Sequence, residues 1–327
     1  MDRLRMIAGA AAAVYLMAGV LICSAEVVQP SDGKIVIRGT APANERLSIA
    51  VFYPDKSQED LTGNVQDEVL LYQNQITVGE DSSYEELFFV PSTTRSGWYT
   101  VKTAGDTENR EEVFWYSNIE DLKLIIEQLK VAAENSDQGA AESNAAALLR
   151  KYSVMLALDS TLFQSVGEEK LAQLLCTEIK NGATFSKEDP ENAKAFLYRL
   201  LLIGAVQNGL LENIFDYSEE LKFADSPIGA WYTRAFVGEK LQTMVTQTIA
   251  GDTFDDIDSF YEALTERFVL GIMAYPDGFG NVRDIMKTFA ERIGIEWVEE
   301  SSAYQKIAGR SYADYADLKR AYELALV

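Results

Sequence analysis

Hydrophobic and polar positions change their period near residue 118. Before it, apolar residues alternate with polar ones in short runs. Lys34–Arg38 is the first clear run, and Arg46–Tyr53 places Leu47, Ile49, Val51 and Tyr53 on one face. Glu68–Val78, Tyr84–Val90, Gly97–Thr103 and Glu111–Tyr116 follow. Turn residues stand between them: Ser31-Asp32-Gly33, Pro54-Asp55, Gly79-Glu80-Asp81 and Ser96-Gly97. A side-chain period of two marks half-buried strands, and six or seven of them in succession predict a β-sandwich over residues 26–117.

From Asn118 the period becomes 3.6. Asn118-Ile119-Glu120-Asp121 reads as a capped helix start, and Leu122, Ile125, Ile126 and Leu129 then share one face. Further helices are predicted near 140–157, 166–181, 190–210, 212–224, 229–249, 256–273, 282–292 and 314–326. The expected fold is thus α+β in separate domains: a β-sandwich, then an all-α multi-helix domain over 118–327.

The helical region repeats itself. Ile249–Phe260 aligns without gaps to Ile307–Leu318, matching Gly251 to Gly309, Thr253 to Ser311, Phe254 to Tyr312, Asp256 to Asp314 and, further on, Ala263 to Ala321. Gly182-Ala183-Thr184-Phe185-Ser186 is a weaker third copy. In each, Gly is expected to end a helix in the left-handed conformation. The aromatic residue packs back, and an Asp or Ser caps the next helix. Asp255/Asp258 and Asp314/Asp317 have capping-box spacing with Asp in place of Glu. The spacing between copies is uneven, which predicts stacked helical hairpins rather than a strict solenoid.

Four segments of the strand region carry a resemblance: Ile35-Val36-Ile37-Arg38-Gly39, Leu47–Val51, Tyr72–Thr77 and Gly97-Trp98-Tyr99-Thr100-Val101. They resemble the immunoglobulin-like or fibronectin-type modules of secreted Gram-positive bacterial proteins. The resemblance implies a Tyr turned inward at a sheet corner, here Tyr99. The Gly-x-Thr/Ser-aromatic helical units are similar to segments beside such modules in large secreted Clostridia-type surface proteins. That likeness implies localisation and architecture and assigns no activity.

The chain opens with a basic Met1–Arg5, an uncharged apolar run from Met6 to Ile22, and Cys23-Ser24-Ala25. This order predicts a secretory signal peptide, residues 1–25, cleaved after Ala25. A retained membrane anchor and lipidation at Cys23 are the alternatives; large, β-branched Ile22 fits the second poorly. The expected location is secreted or extracellular, with possible association to the cell surface, and membrane contact only if the leader is retained.

The chain carries a net charge of -22 over 327 residues. Loss of Asp2, Arg3 and Arg5 with the leader leaves 27 basic and 50 acidic residues, net -23. Phosphate backbones need Lys and Arg, so nucleic acid is not an expected partner. There is no histidine. That excludes Ser-His-Asp and Cys-His catalysis and His-ligated zinc. No nucleophile elbow, Walker A loop or Gly-x-Gly-x-x-Gly occurs. Cys176, the one cysteine outside the leader, lies in an apolar helical stretch and reads as a buried thiol. Asp252, Asp255, Asp256 and Asp258 lack the pattern of a calcium loop and fit helix capping. No metal and no cofactor are expected.

Aromatic residues remain as candidates. If Tyr99 and Val101 face the core, Trp98 and Lys102 face solvent and could bind a ligand, the alternative being that Trp98 packs on the helices. Tyr312, Tyr315 and Tyr322 could share a helical face that forms a partner surface. The expected function is a non-catalytic secreted or cell-surface protein binding a protein or glycan at the cell surface. A structural spacer or assembly subunit, and a carboxylate-based polysaccharide-degrading enzyme, are its rivals.

Overall fold

The computed structural model describes residues 24–28, 34–61, 68–91, 93–106, 109–232, 238–299 and 301–327. The chain divides into two compact units at Asn118/Ile119, one residue from the boundary expected from the change of period. It is a mixed α+β protein: two antiparallel sheets, then helices.

Among the described residues seven strands build the first unit: β1 (Ser24–Val28), β2 (Lys34–Thr40), β3 (Arg46–Phe52), β4 (Leu70–Thr77), β5 (Ser83–Phe89), β6 (Gly97–Ala104) and β7 (Asn109–Tyr116). One sheet runs β1-β2-β5, the other β4-β3-β6-β7, and every described pairing is antiparallel. Ile35 and Ile37 from the first sheet and Leu47, Ile49, Val51, Tyr99 and Val101 from the second are buried in one cluster. Alternation on β6 sets this directly, with Tyr99, Val101 and Thr103 buried while Trp98 points away. Asn44 and Asp55 turn the chain in the left-handed region at φ 65° and 64°, residue types whose short polar side chains tolerate it.

Expected strands and observed strands differ at one place. β1 falls where the leader was expected to end. Residues 1–23 of the expected signal peptide lie outside the described residues, while Ser24 and Ala25 pair with Thr40 and Gly39.

The second unit holds twelve helices among the described residues: α1 (Ile119–Ala133), α2 (Gln138–Tyr152), α3 (Ser160–Val166), α4 (Glu168–Lys180), α5 (Pro190–Gln207), α6 (Gly229–Tyr232), α7 (Glu239–Ile249), α8 (Ile257–Ala274), α9 (Phe279–Thr288), α10 (Ala290–Ile293), α11 (Ala303–Ile307) and α12 (Tyr315–Leu326). The helix expected over 212–224 is absent. Two 3-10 turns, Ile214–Tyr217 and Phe223–Asp225, replace it. Asn213 accepts from the Phe215 N–H, and Lys222 takes a left-handed φ of 54° that an α-helix cannot continue through. The segment expected as one helix over 229–249 is described as α6 and α7, and 233–237 lie outside the description. The helix expected over 282–292 is two, α9 and α10. α3 and α11 were not anticipated; both are too short for a periodic signal.

α4–α5, α7–α8 and α11–α12 are the three repeated hairpins. Gly182, Gly251 and Gly309 follow their first helices with φ of 93°, 87° and 75°, as the Gly-x-Thr/Ser-aromatic pattern requires. Asp189, Asp256 and Asp314 then accept a hydrogen bond from the backbone N–H three residues on. Counting from each capping Asp brings the second helices into register. The fourth residue is Ala193, Phe260 or Leu318, and the eighth is Leu197, Leu264 or Tyr322; all six are at most 1% exposed. Asp256 pairs with Ser259 as a capping box, one residue later than the expected Asp255/Asp258. Asp317 accepts from the Ala313 N–H rather than from Asp314.

Candidate functional site

The outer face of the four-stranded sheet carries an exposed tryptophan, Trp98; the other strongly exposed aromatic residue described in the first unit, Phe89, lies at the end of β5 in the three-stranded sheet. Register places Trp98 opposite Trp115, Thr100 opposite Val113, and Lys102 opposite Glu111. All six therefore project from one side of β6 and β7. Trp98 is 52% and Val113 59% exposed. The two indoles meet edge to face, centroids 5.3 Å apart at 78°, the favoured geometry for aromatic quadrupoles. Trp115 Nε1 donates to Ser117 Oγ at 2.9 Å, which fixes its ring.

Lys102 is committed locally. Its Nζ lies 2.9 Å from a Glu111 carboxylate oxygen and 5.7 Å from the centre of the Phe52 ring. Phe52, Val69 and Leu70 form a small buried cluster on the β3–β4 half of this sheet. The aliphatic stem of a lysine lying over an aromatic ring is a common way to shield it. One half of the face is thus sealed by its own side chains, while Trp98 and Val113 are uncovered.

Tyr99, on the opposite face of β6, anchors this strand. It is fully buried, and its hydroxyl donates to the Arg95 carbonyl at 2.8 Å. Rings of Tyr53, Phe114 and Tyr116 surround it at 5.7–6.1 Å. Burial pushes its phenol up to about 12, so it stays neutral at physiological pH. Arg95 donates to the Pro54 carbonyl at 3.0 Å. Asn118 Nδ2 donates to the Thr94 carbonyl at 2.7 Å, and the Asn118 backbone N–H to Ser96 Oγ at 2.8 Å. The segment leading into β6 is therefore held at four points.

The three tyrosines expected as a partner surface are placed otherwise. Tyr322 is 1% exposed and stacks on Trp297 at 6.0 Å, and its hydroxyl accepts from the Val298 N–H at 3.1 Å. It stands at the core position that Leu197 and Leu264 hold in the other copies, so it presents no surface. Tyr312 is half-buried and donates to the Ile307 carbonyl at 2.8 Å, closing its own turn. Tyr315 packs against the helical core. Its backbone N–H donates to Glu266 at 2.9 Å, and its hydroxyl is buried without a partner among the described residues. Sequence periodicity put the three on one helical side; the repeat register shows that this side faces inward.

The acidic cluster separates into structural roles. Asp252 pairs with Arg267 at 3.2 Å, and Asp256 caps α8. Among the described residues, no group of three or more His, Cys, Asp or Glu side chains is arranged to hold a metal. Cys176 is fully buried, and burial raises its thiol to about 11, far from a reactive thiolate.

Sequence reasoning missed two carboxylates, Glu178 buried and Glu266 half-buried, that cap helices from neighbouring ones. Glu178 on α4 accepts from the Ile257 N–H of α8 at 2.6 Å, and Glu266 on α8 accepts from the Tyr315 N–H of α12. Isolated Glu residues on amphipathic helices carry no signal of such a role. No helix among the described residues is long and apolar enough to cross a membrane. No family model, no curated protein and no solved structure matches the chain.

Proposed function

We propose that this is a non-catalytic recognition protein, exported from the cell, whose first unit is an immunoglobulin-like sandwich of the fibronectin type. The strand orders β1-β2-β5 and β4-β3-β6-β7 support that fold. So does Tyr99, inward at the start of β6 with its hydroxyl bonded to a carbonyl four residues upstream. The leader-like order of residues 1–25 supports export, and cleavage after Ala25 leaves three of the five β1–β2 pairs in place. The lack of histidine and of catalytic motifs argues for binding rather than turnover.

One observation carries the binding reading: the exposed Trp98, braced edge to face by Trp115 on a rigid sheet. Exposed tryptophan on a fixed scaffold is a recurrent binding anchor, because it supplies a large contact with little loss of freedom. The protein is tested on arrays of cell-surface proteins and glycans beside Trp98→Ala. Capture that falls with the variant supports the proposal; capture that does not depend on Trp98 removes the site. The rival is a structural spacer, favoured by the repeated hairpins. Mass that rises with concentration in light scattering, together with blank arrays, would favour it.

A further inference from the structure

The Trp98 face has a size, a charge and a spacing that together select among ligands. Stable protein interfaces cover about 800 Å² on each partner, with roughly 20–30 residues. Among the described residues of this face, the uncovered large apolar side chains are Trp98, Val113 and the flank of Trp115. On one side Phe52 and Leu70 are already sealed, and on the other β7 is the sheet edge. A strip two strands wide suits a narrow ligand that stacks rather than a second protein surface.

Charge narrows the choice further. Lys102, in line with Trp98 on β6, is paired with Glu111 at 2.9 Å, so the cation beside the tryptophan is already neutralised and offers little to an anionic ligand. The chain as a whole carries -22, which repels polyanions at long range. Spacing supplies the remaining constraint. Same-face residues on a strand are about 6.8 Å apart. Trp98, Thr100 and Lys102 thus form a line in which an aromatic ring is followed by a hydroxyl and then by a paired ammonium and carboxylate. The C–H face of a pyranose stacks on an indole, and its hydroxyls need donors and acceptors beyond the ring.

We infer that this face binds a neutral oligosaccharide lying along β6, one sugar stacked on Trp98 and later hydroxyls bonded by Thr100, Lys102 and Glu111. The inference rests on the recognition reading and names its ligand class. The Tyr99 anchor and the Trp98–Trp115 contact hold the platform before the ligand arrives, which lowers the ordering cost of binding.

The test is titration of the full protein with defined neutral probes, cello- and chitin-oligosaccharides, against oligogalacturonides of matched length. Tryptophan emission and calorimetry are read together. Expected are a saturable change with a neutral probe and none with the acidic one. Trp98→Ala, checked for fold by circular dichroism, weakens binding at least about tenfold, a change of about 1.4 kcal/mol. Trp98→Phe keeps a smaller stacking ring and falls between. Equal or better binding of the acidic probe overturns the inference, as does unchanged affinity in Trp98→Ala or silence from every neutral probe. If a surface protein is captured through Trp98 while all sugars are silent, the inference fails and the recognition reading stands. If neither binds, both fail.

Discussion

The two units handle their large aromatic residues in opposite ways. In the helical unit, the rings at the core positions of the second and third hairpins are sealed: Phe254, Phe260 and Tyr322 are at most 1% exposed, while Tyr312 at the last turn is half-buried. In the strand unit, alternation forces every second side chain outward, and Trp98, Phe89 and Val113 are more than half exposed. A helical stripe can bury an aromatic residue by turning one face inward. A sheet with one core face cannot, unless something covers the other side. An exposed aromatic residue therefore says more about function on the sheet than among these helices, where the same residue type marks packing.

That contrast is broken hardest from the helical side. Leu264→Ala empties a position with no exposure, the equivalent of Leu197 and Tyr322, and is expected to cost about 2–5 kcal/mol. Urea unfolding followed by far-UV circular dichroism reads it. A loss below 1 kcal/mol would show that the repeat register does not define the core. Gly271→Ala follows. A Cβ there would sit 2.4 Å from Leu241 Cδ1 on α7, and overpacking of this kind costs about 1–3 kcal/mol. Gly204 holds the same repeat position on α5 and meets Val166 at 2.6 Å, so its Ala variant should behave alike.

These positions also show what was legible beforehand. The change of period at Asn118, the strand order of events along the chain and the Gly-turn-Asp hairpins all rest on local rules, and local rules survive folding. The gapless match of Ile249–Phe260 to Ile307–Leu318 already contained the core role of Tyr322, since its partner position is Leu264. Reading the tyrosines as a surface ignored that register. The 212–224 segment failed for a different reason. Its apolar residues have helical spacing, yet Ile214 and Phe223 are buried through 3-10 turns that the Asn213 side chain and the Thr246 hydroxyl secure. Asn213 acts locally, but a partner as distant as Thr246 leaves no trace in a window of sequence. The outward position of Trp98 followed from alternation alone, while its bracing by Trp115 needed the register of β7.

Smaller effects sit at the helix ends. Asp256→Ala removes the cap of α8 and is expected to cost about 1 kcal/mol. Backbone and side-chain hydrogen bonds from Ser259 hold the Asp256 carboxyl below its usual value of 3.8. Its stabilising contribution is present above that value and lost as pH falls through the lower, folded one. Glu178 has the opposite sign. Burial first, then Asp256 and Asp258, raise it above 4.5 despite the Ile257 N–H. Protonation is favoured in the folded state, so this group penalises stability as pH rises from about 4.5 through its raised value. Glu178→Gln keeps an acceptor for Ile257 without the charge. It should flatten the stability profile over that interval, and an unchanged profile in urea titrations across pH 4–7 would refute the assignment.

The smallest expected change in stability belongs to Trp98, which is half exposed. Trp98→Ala gives up an edge-to-face contact of about 0.5–1.5 kcal/mol, partly offset because much of the ring already lies in water. Its midpoint in urea should move far less than that of Leu264→Ala, while ligand capture should fall far more. A protein that needs Trp98 for its core would show the reverse order, with both properties lost together. The separation of the two readouts is thus the sharpest measure of the contrast: in the helices, removing an aromatic or aliphatic core residue disturbs the fold, and on β6, removing one disturbs only what the fold presents.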